Sequence, residues 1–195
     1  MLSDWDRWFP DCEPVAHHLP ITFPGRWVRF HSLPGSKRYP EDEAEYGTVL
    51  ERHNRVLGEL ACAGEPVALL TTGYSETADP APRQQELLEL DPHARYWRTI
   101  AMHEQPDNFP EPSFWHVFMS GWYWWPGVFD AIVRLVAADV LANVMIVALD
   151  GRWLLHPYDG GMDVIVESRG VRDALAERYP EWLGPEWRAS NGVGY

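Results

Sequence analysis

Three apolar runs near the C-terminus, Val144 to Leu149, Arg152 to Tyr158 and Met162 to Glu167, are separated by Asp150-Gly151 and Asp159-Gly160-Gly161. Asp-Gly between strand-like runs is a strong hairpin signal, so the pattern predicts a three-stranded meander over about 144–167. Upstream, Tyr46, Val49, Leu50, His53, Leu57, Leu60 and Ala61 recur at three- and four-residue spacing, which predicts a helix over 41–63 ended by Gly64. A second helix is expected from Pro126 to about Ala142, with Phe129, Ile132, Val133, Val136 and Val140 inward, and a third over 169–179 with Ser168 as its N-cap. Trp27 to His31 alternates as a strand, with Trp27, Arg29 and His31 on one face. Pro66 to Thr72, Arg95 to Met102 and Phe114 to Trp122 add strands, while Gly73 to Pro92 reads as a flexible loop. These elements make one domain over residues 1–195, of class α+β, with a largely antiparallel sheet packed by the helices near 41–63, 126–142 and 169–179.

The register of the last hairpin decides whether His156 and Asp163 cooperate. A three-residue loop, Asp159-Gly160-Gly161, sets Tyr158 opposite Met162 and His156 opposite Val164, sending His156 and Asp163 to opposite faces. A two-residue Gly160-Gly161 loop sets Tyr158 opposite Asp163 and brings His156, Tyr158 and Asp163 to one side. The first turn aligns Leu154 with Val147 and His156 with Met145. Apolar consistency then favours the three-residue loop, because it adds Val164 and Val166 to the same surface.

Composition narrows the function classes. The formal charge of −13 opposes binding to nucleic acid or to an anionic membrane, both of which need concentrated basic surface. It suits a basic protein partner. The longest apolar region, Val128 to Leu149, is interrupted by Asp130, Arg134, Asp139 and Asn143, too polar for a bilayer span. Cys12 and Cys62 form no Cys-x-x-Cys pair and no secretory segment follows Met1, so a reducing cytoplasm is expected. Oligomeric state is open.

Two polar groups are candidate sites. One is a basic island, Arg29, His31, Lys37, Arg38 and Tyr39, in which arginine forks and the only lysine of the chain suit a phosphate or carboxylate. The other is the last hairpin, with His156, Tyr158, Asp159 and Asp163 around the turn. Each has a structural alternative: the cations pair with surplus acids, and Asp159 bonds turn amides. Trp115, Trp122, Tyr123, Trp124 and Trp125 form an aromatic group divided between core and interface. No metal, nucleophile or phosphate-cradle motif is present, and no metal or cofactor is expected.

Trp27-Val28-Arg29-Phe30-His31-Ser32-Leu33-Pro34 with Ser36-Lys37-Arg38-Tyr39, and Leu155-His156-Pro157-Tyr158-Asp159-Gly160-Gly161-Met162-Asp163-Val164-Ile165, resemble an uncharacterised bacterial domain-of-unknown-function family. Glu51-Arg52-His53-Asn54 and Thr71-Thr72-Gly73-Tyr74 extend the likeness over most of the chain. The resemblance implies a free-standing bacterial cytoplasmic protein and assigns no activity, substrate or cofactor. The first expectation is therefore a non-enzymatic binding or regulatory protein, of immunity type, that covers a basic surface. The alternatives are a small hydrolase of an anionic metabolite, using Arg29, Lys37 and Arg38 with His156 and Asp163, and a structural oligomer built on the Trp-rich strand.

Overall fold

The meander of the sequence reading lies inside one seven-stranded antiparallel sheet in a computed structural model that describes residues 4–105, 109–184 and 187. The strands are β1 (Trp27–His31), β2 (Pro66–Ser75), β3 (Arg95–Ala101), β4 (Phe114–Tyr123), β5 (Met145–Ala148), β6 (Trp153–Tyr158) and β7 (Gly161–Val166), ordered β1-β7-β6-β5-β2-β4-β3. The α+β class is thereby established. The described helices are α1 (Trp5–Trp8), α2 (Leu19–Thr22), α3 (Glu43–Leu60), α4 (Gln85–Leu90), α5 (Asp130–Ala137) and α6 (Arg169–Arg178).

Local chemistry sets the helix bounds. Asp42 caps α3 by accepting from Glu45 N at 2.9 Å, and Ser168 caps α6 through Val171 N at 3.3 Å. The helix expected over 126–142 is shorter: Gly127 at φ +87° keeps its first residues out of helical geometry, and Asp139 at φ +59° ends it. Val140, expected inward, is 39% exposed past that break. The supposed flexible loop contains α4, because Leu87 is buried and the buried Arg83–Asp91 pair ties both ends of the excursion to the sheet.

The sheet is covered on both faces. Val28, Phe30, Leu69, Ile146, Leu155, Val164 and Val166 pack in one core with Val56, Leu57, Ile132, Val133 and Leu175 from α3, α5 and α6. On the other face Trp5, Phe9, Val15, Ala16 and Leu19 of the N-terminal segment cover Ala68, Leu70, Met145, Val147, Leu154 and Ile165. Asn143, at φ +51°, fastens that segment: Oδ1 accepts from Ala16 N at 2.8 Å, while Nδ2 donates to Pro14 O at 3.2 Å and Thr72 Oγ1 at 2.7 Å. Asn tolerates the left-handed conformation, which frees its amide to bridge chain and sheet.

The two rims of the sheet differ. β1 is joined by an isolated antiparallel bridge from Phe30 to Leu183, and β3 carries a register break between Tyr96 and Arg98.

Candidate functional site

The last hairpin has a register that neither sequence alternative described. Tyr158 pairs with Gly161, Pro157 with Met162 and His156 with Asp163, so the loop is Asp159-Gly160 and His156 and Asp163 share a face. The expected separation of these two residues is therefore corrected. Its physical reason is the double coverage of the sheet: β7 is buried along its whole length, so both of its faces are inside and hydrophobic alternation holds little register information. The first hairpin keeps its expected register, Leu154 opposite Val147, with Gly151 at φ +71°. At the second, neither Asp159 nor Gly160 has a positive φ. Gly161 is required by packing instead, since a Cβ there would stand 2.1 Å from the Phe30 carbonyl oxygen.

β1 lies beside β7, with Arg29 opposite Asp163 and His31 opposite Gly161. Arg29 grips Asp163 with both arms of its fork, Nε to Oδ1 and Nη2 to Oδ2 at 2.7 Å each, and Trp27 Nε1 donates to Oδ1 at 2.8 Å. Asp163 is 3% exposed, so these donors replace the water it loses. The Arg29 guanidinium also stands 5.0 Å from the Tyr158 ring centre.

The basic loop meets the turn. Ser32 N donates to Gly160 O at 3.0 Å, and Arg38 Nε donates to Asp159 Oδ2 at 2.6 Å. The Asp159 carboxylate pushes the Tyr39 phenol above its ordinary value. Lys37 points elsewhere, with Nζ 2.7 Å from Glu45 and 3.2 Å from Glu41. His31 faces the C-terminal segment, where a Cβ on Gly184 would lie 2.8 Å from its Nε2. Each of Arg29, Lys37 and Arg38 thus holds a carboxylate of its own chain.

His156 is 8% exposed, and burial is the main influence lowering its pKa. Nδ1 donates to Val144 O at 2.7 Å, which places the lone pair on Nε2. Tyr158 is pushed up to about 12, chiefly by burial, and stays a neutral phenol. His17, Arg38, Trp115, His156, Tyr158 and Asp159 line a cavity of about 210 Å³ under the N-terminal segment. Arg29, His31, Lys37, Tyr39 and Asp163 do not line it. Sequence reasoning did not find the cavity, because its roof comes from residues 16 and 17 and part of its wall from 139–143. A wider groove of about 790 Å³ passes Asp6, Glu13 and Ile21 and includes none of the candidate residues.

The other histidines resolve as follows. His53 lies in the core with Nδ1 donating to Val49 O at 2.8 Å, and burial lowers it to about 4. His116 is buried between two hydroxyls, Ser75 Oγ at 2.7 Å and Thr99 Oγ1 at 2.8 Å. His17 and His18 occupy a 3-10 turn with rings 4.6 Å apart. Of the aromatic group, Trp115 and Trp124 are buried, whereas Tyr123 and Trp125 are 67% and 56% exposed. Among the described residues no set of three or more His, Cys, Asp or Glu could hold a metal ion, and no helix is long and apolar enough to cross a membrane.

A family model described as a domain of unknown function, DUF3885, matches residues 15–186. No curated protein and no solved structure matches the chain.

Proposed function

The chain belongs to the DUF3885 family, and on that premise we propose that it is a non-enzymatic cytoplasmic binding or regulatory protein of bacteria, of immunity type, whose partner is a basic protein. One observation supports this reading above the others. Arg29, Lys37 and Arg38, the cations an anionic substrate would need, are each neutralised internally, by Asp163, Glu45 and Asp159. The charge of −13 is what remains to act outward, and it favours association with a basic surface. Tyr123 and Trp125 supply exposed aromatic area of the kind that anchors protein contacts.

The hydrolase alternative draws on His156, which lines a cavity and stands across from Asp163. Both oxygens of Asp163 are already committed to Arg29, one of them also to Trp27, and His156 donates to a backbone carbonyl. Affinity capture from the native host at low salt tests the binding reading. A stoichiometric basic partner released by raising salt is expected; recovery of none overturns it.

A further inference from the structure

We propose that residues 76–82 form a strap over the β3 end of the sheet, latched by the neutral imidazole of His116 and opened when that ring takes up a proton. The strap lies apart from the candidate site and does not depend on the binding reading. Val67 and Leu69 of β2 belong to the helix-covered core, and Thr71, Gly73 and Ser75 continue the same face. Toward the other rim Gly73 pairs with His116 of β4, and His116 pairs with Thr99 of β3. α3, α5 and α6 pack chiefly over β6, β7 and β1, so the chain after Ser75 provides the cover here. A Cβ on Gly73 would stand 3.9 Å from Pro82 O, and Thr99 Oγ1 reaches Ala78 O at 3.5 Å. Residues 76–80 are exposed, whereas His116 beneath them is 0% exposed.

Hydrogen-bond accounting fixes the protons of the latch. Ser75 Oγ and Thr77 O stand 2.7 Å apart, which requires a proton between them, and only Ser75 can supply it. Ser75 Oγ then accepts from Thr77 N at 3.2 Å and from His116 Nε2 at 2.7 Å. The lone pair of the neutral ring is therefore on Nδ1, where Thr99 Oγ1 donates at 2.8 Å, with Tyr96 Oη donating to Thr99 Oγ1 at 3.0 Å. Both ring nitrogens are satisfied. A proton on Nδ1 turns an acceptor into a donor that opposes the Thr99 hydroxyl, and that hydroxyl must turn to Ala78 O, which is too distant for a strong bond.

The surroundings decide the direction of the switch. β2 brings Ser75 to the ring and β3 brings Thr99 with Tyr96 behind it, all neutral; the strap brings the carboxylate of Asp79, which favours the proton. Arg83, over the Phe118 ring, is engaged with Asp91. Burial outweighs Asp79 and lowers the His116 pKa from its ordinary 6.5. A ring that holds its proton more weakly under the strap than in water shifts the strap toward the open form as pH falls. The latch is thus fully set above pH 6.5 and is lost below it.

The test is hydrogen–deuterium exchange of the full chain at pH 7.5 and 5.5, corrected for the intrinsic pH dependence of exchange. The open population of segment 76–83 should rise about threefold to tenfold between the two, tenfold being the limit for one pH unit below 6.5. His116→Gln, which can still donate to Ser75 and accept from Thr99, should show no such rise. In the wild type the His116 ring signals should titrate below pH 6.5 by NMR, and the Thr77 amide should follow with the same midpoint; this pair decides the matter if His116→Gln does not fold. Unchanged protection in the wild type, an equal rise in a folded His116→Gln, or a Thr77 amide that ignores the His116 titration each overturns the proposal.

Discussion

His53 makes folding stability depend on pH in a window that can be calculated. Its imidazole on α3 is 2% exposed, and burial lowers its pKa from 6.5 to about 4. The neutral ring is the form the fold accepts. Its contribution is therefore fully present above pH 6.5, is lost as pH falls towards 4, and changes no further below that. The gap corresponds to roughly 3 kcal/mol in total, at about 1.4 kcal/mol per pH unit. The chain has a pI near 4.9, so the comparison belongs above it, between pH 7.5 and 5.5. Across that interval the wild type should lose roughly 1.4 kcal/mol more than His53→Gln, which has no titrating group at the site but can still donate to the Val49 carbonyl. Urea unfolding of both proteins at the two pH values measures this. Carboxylates and the other histidines titrate in both and cancel in the difference. If the two stability curves run parallel within about 0.3 kcal/mol, the buried neutral imidazole is not the source of any pH dependence and the reasoning fails.

Three further outcomes follow from packing. Arg83→Met should cost about 3–5 kcal/mol, since it strands the 1%-exposed Asp91 with Ser120 as its remaining side-chain donor; Arg83→Met with Asp91→Leu should recover much of that, as read by urea midpoints. Gly161→Ala places a methyl 2.1 Å from the Phe30 carbonyl and should abolish soluble expression or cooperative melting, whereas Gly160→Ala, whose nearest neighbours are side-chain atoms at 3.2 and 3.4 Å, should melt within about 10 °C of wild type by circular dichroism. Asn143→Ala removes the bonds to Ala16, Pro14 and Thr72 and should cost about 3 kcal/mol, with limited proteolysis opening residues 4–23 first; resistance equal to wild type would disprove the fastening role.

The sequence was most legible where one residue carries a local geometric demand. Ser168 marks the start of α6 correctly, Asp150-Gly151 sets the first hairpin, and the spacing from Tyr46 to Leu60 finds α3. It was least legible where the demand comes from elsewhere in the fold. Nothing near Asp163 announces that Trp27 and Arg29 will satisfy it, and the register follows from that pairing more than from alternation. The six residues of α4 are too few for a period, and the helix is held by Arg83 and Asp91 rather than by its own pattern. The meeting of the basic loop and the turn, left open by the sequence, depends on β1 lying next to β7.

That adjacency also has a kinetic meaning. The bonds that define the candidate site join residues 134 positions apart, Arg29 to Asp163, and 121 apart, Arg38 to Asp159. Contacts of such long range carry the largest loop-closure entropy and form late in folding. On the ribosome β1 leaves the exit tunnel many seconds before its sheet neighbour β7 is made, at about 5–20 residues per second. A nascent or C-terminally shortened chain that lacks β7 therefore has no candidate site at all, and recognition through it reports a completed fold.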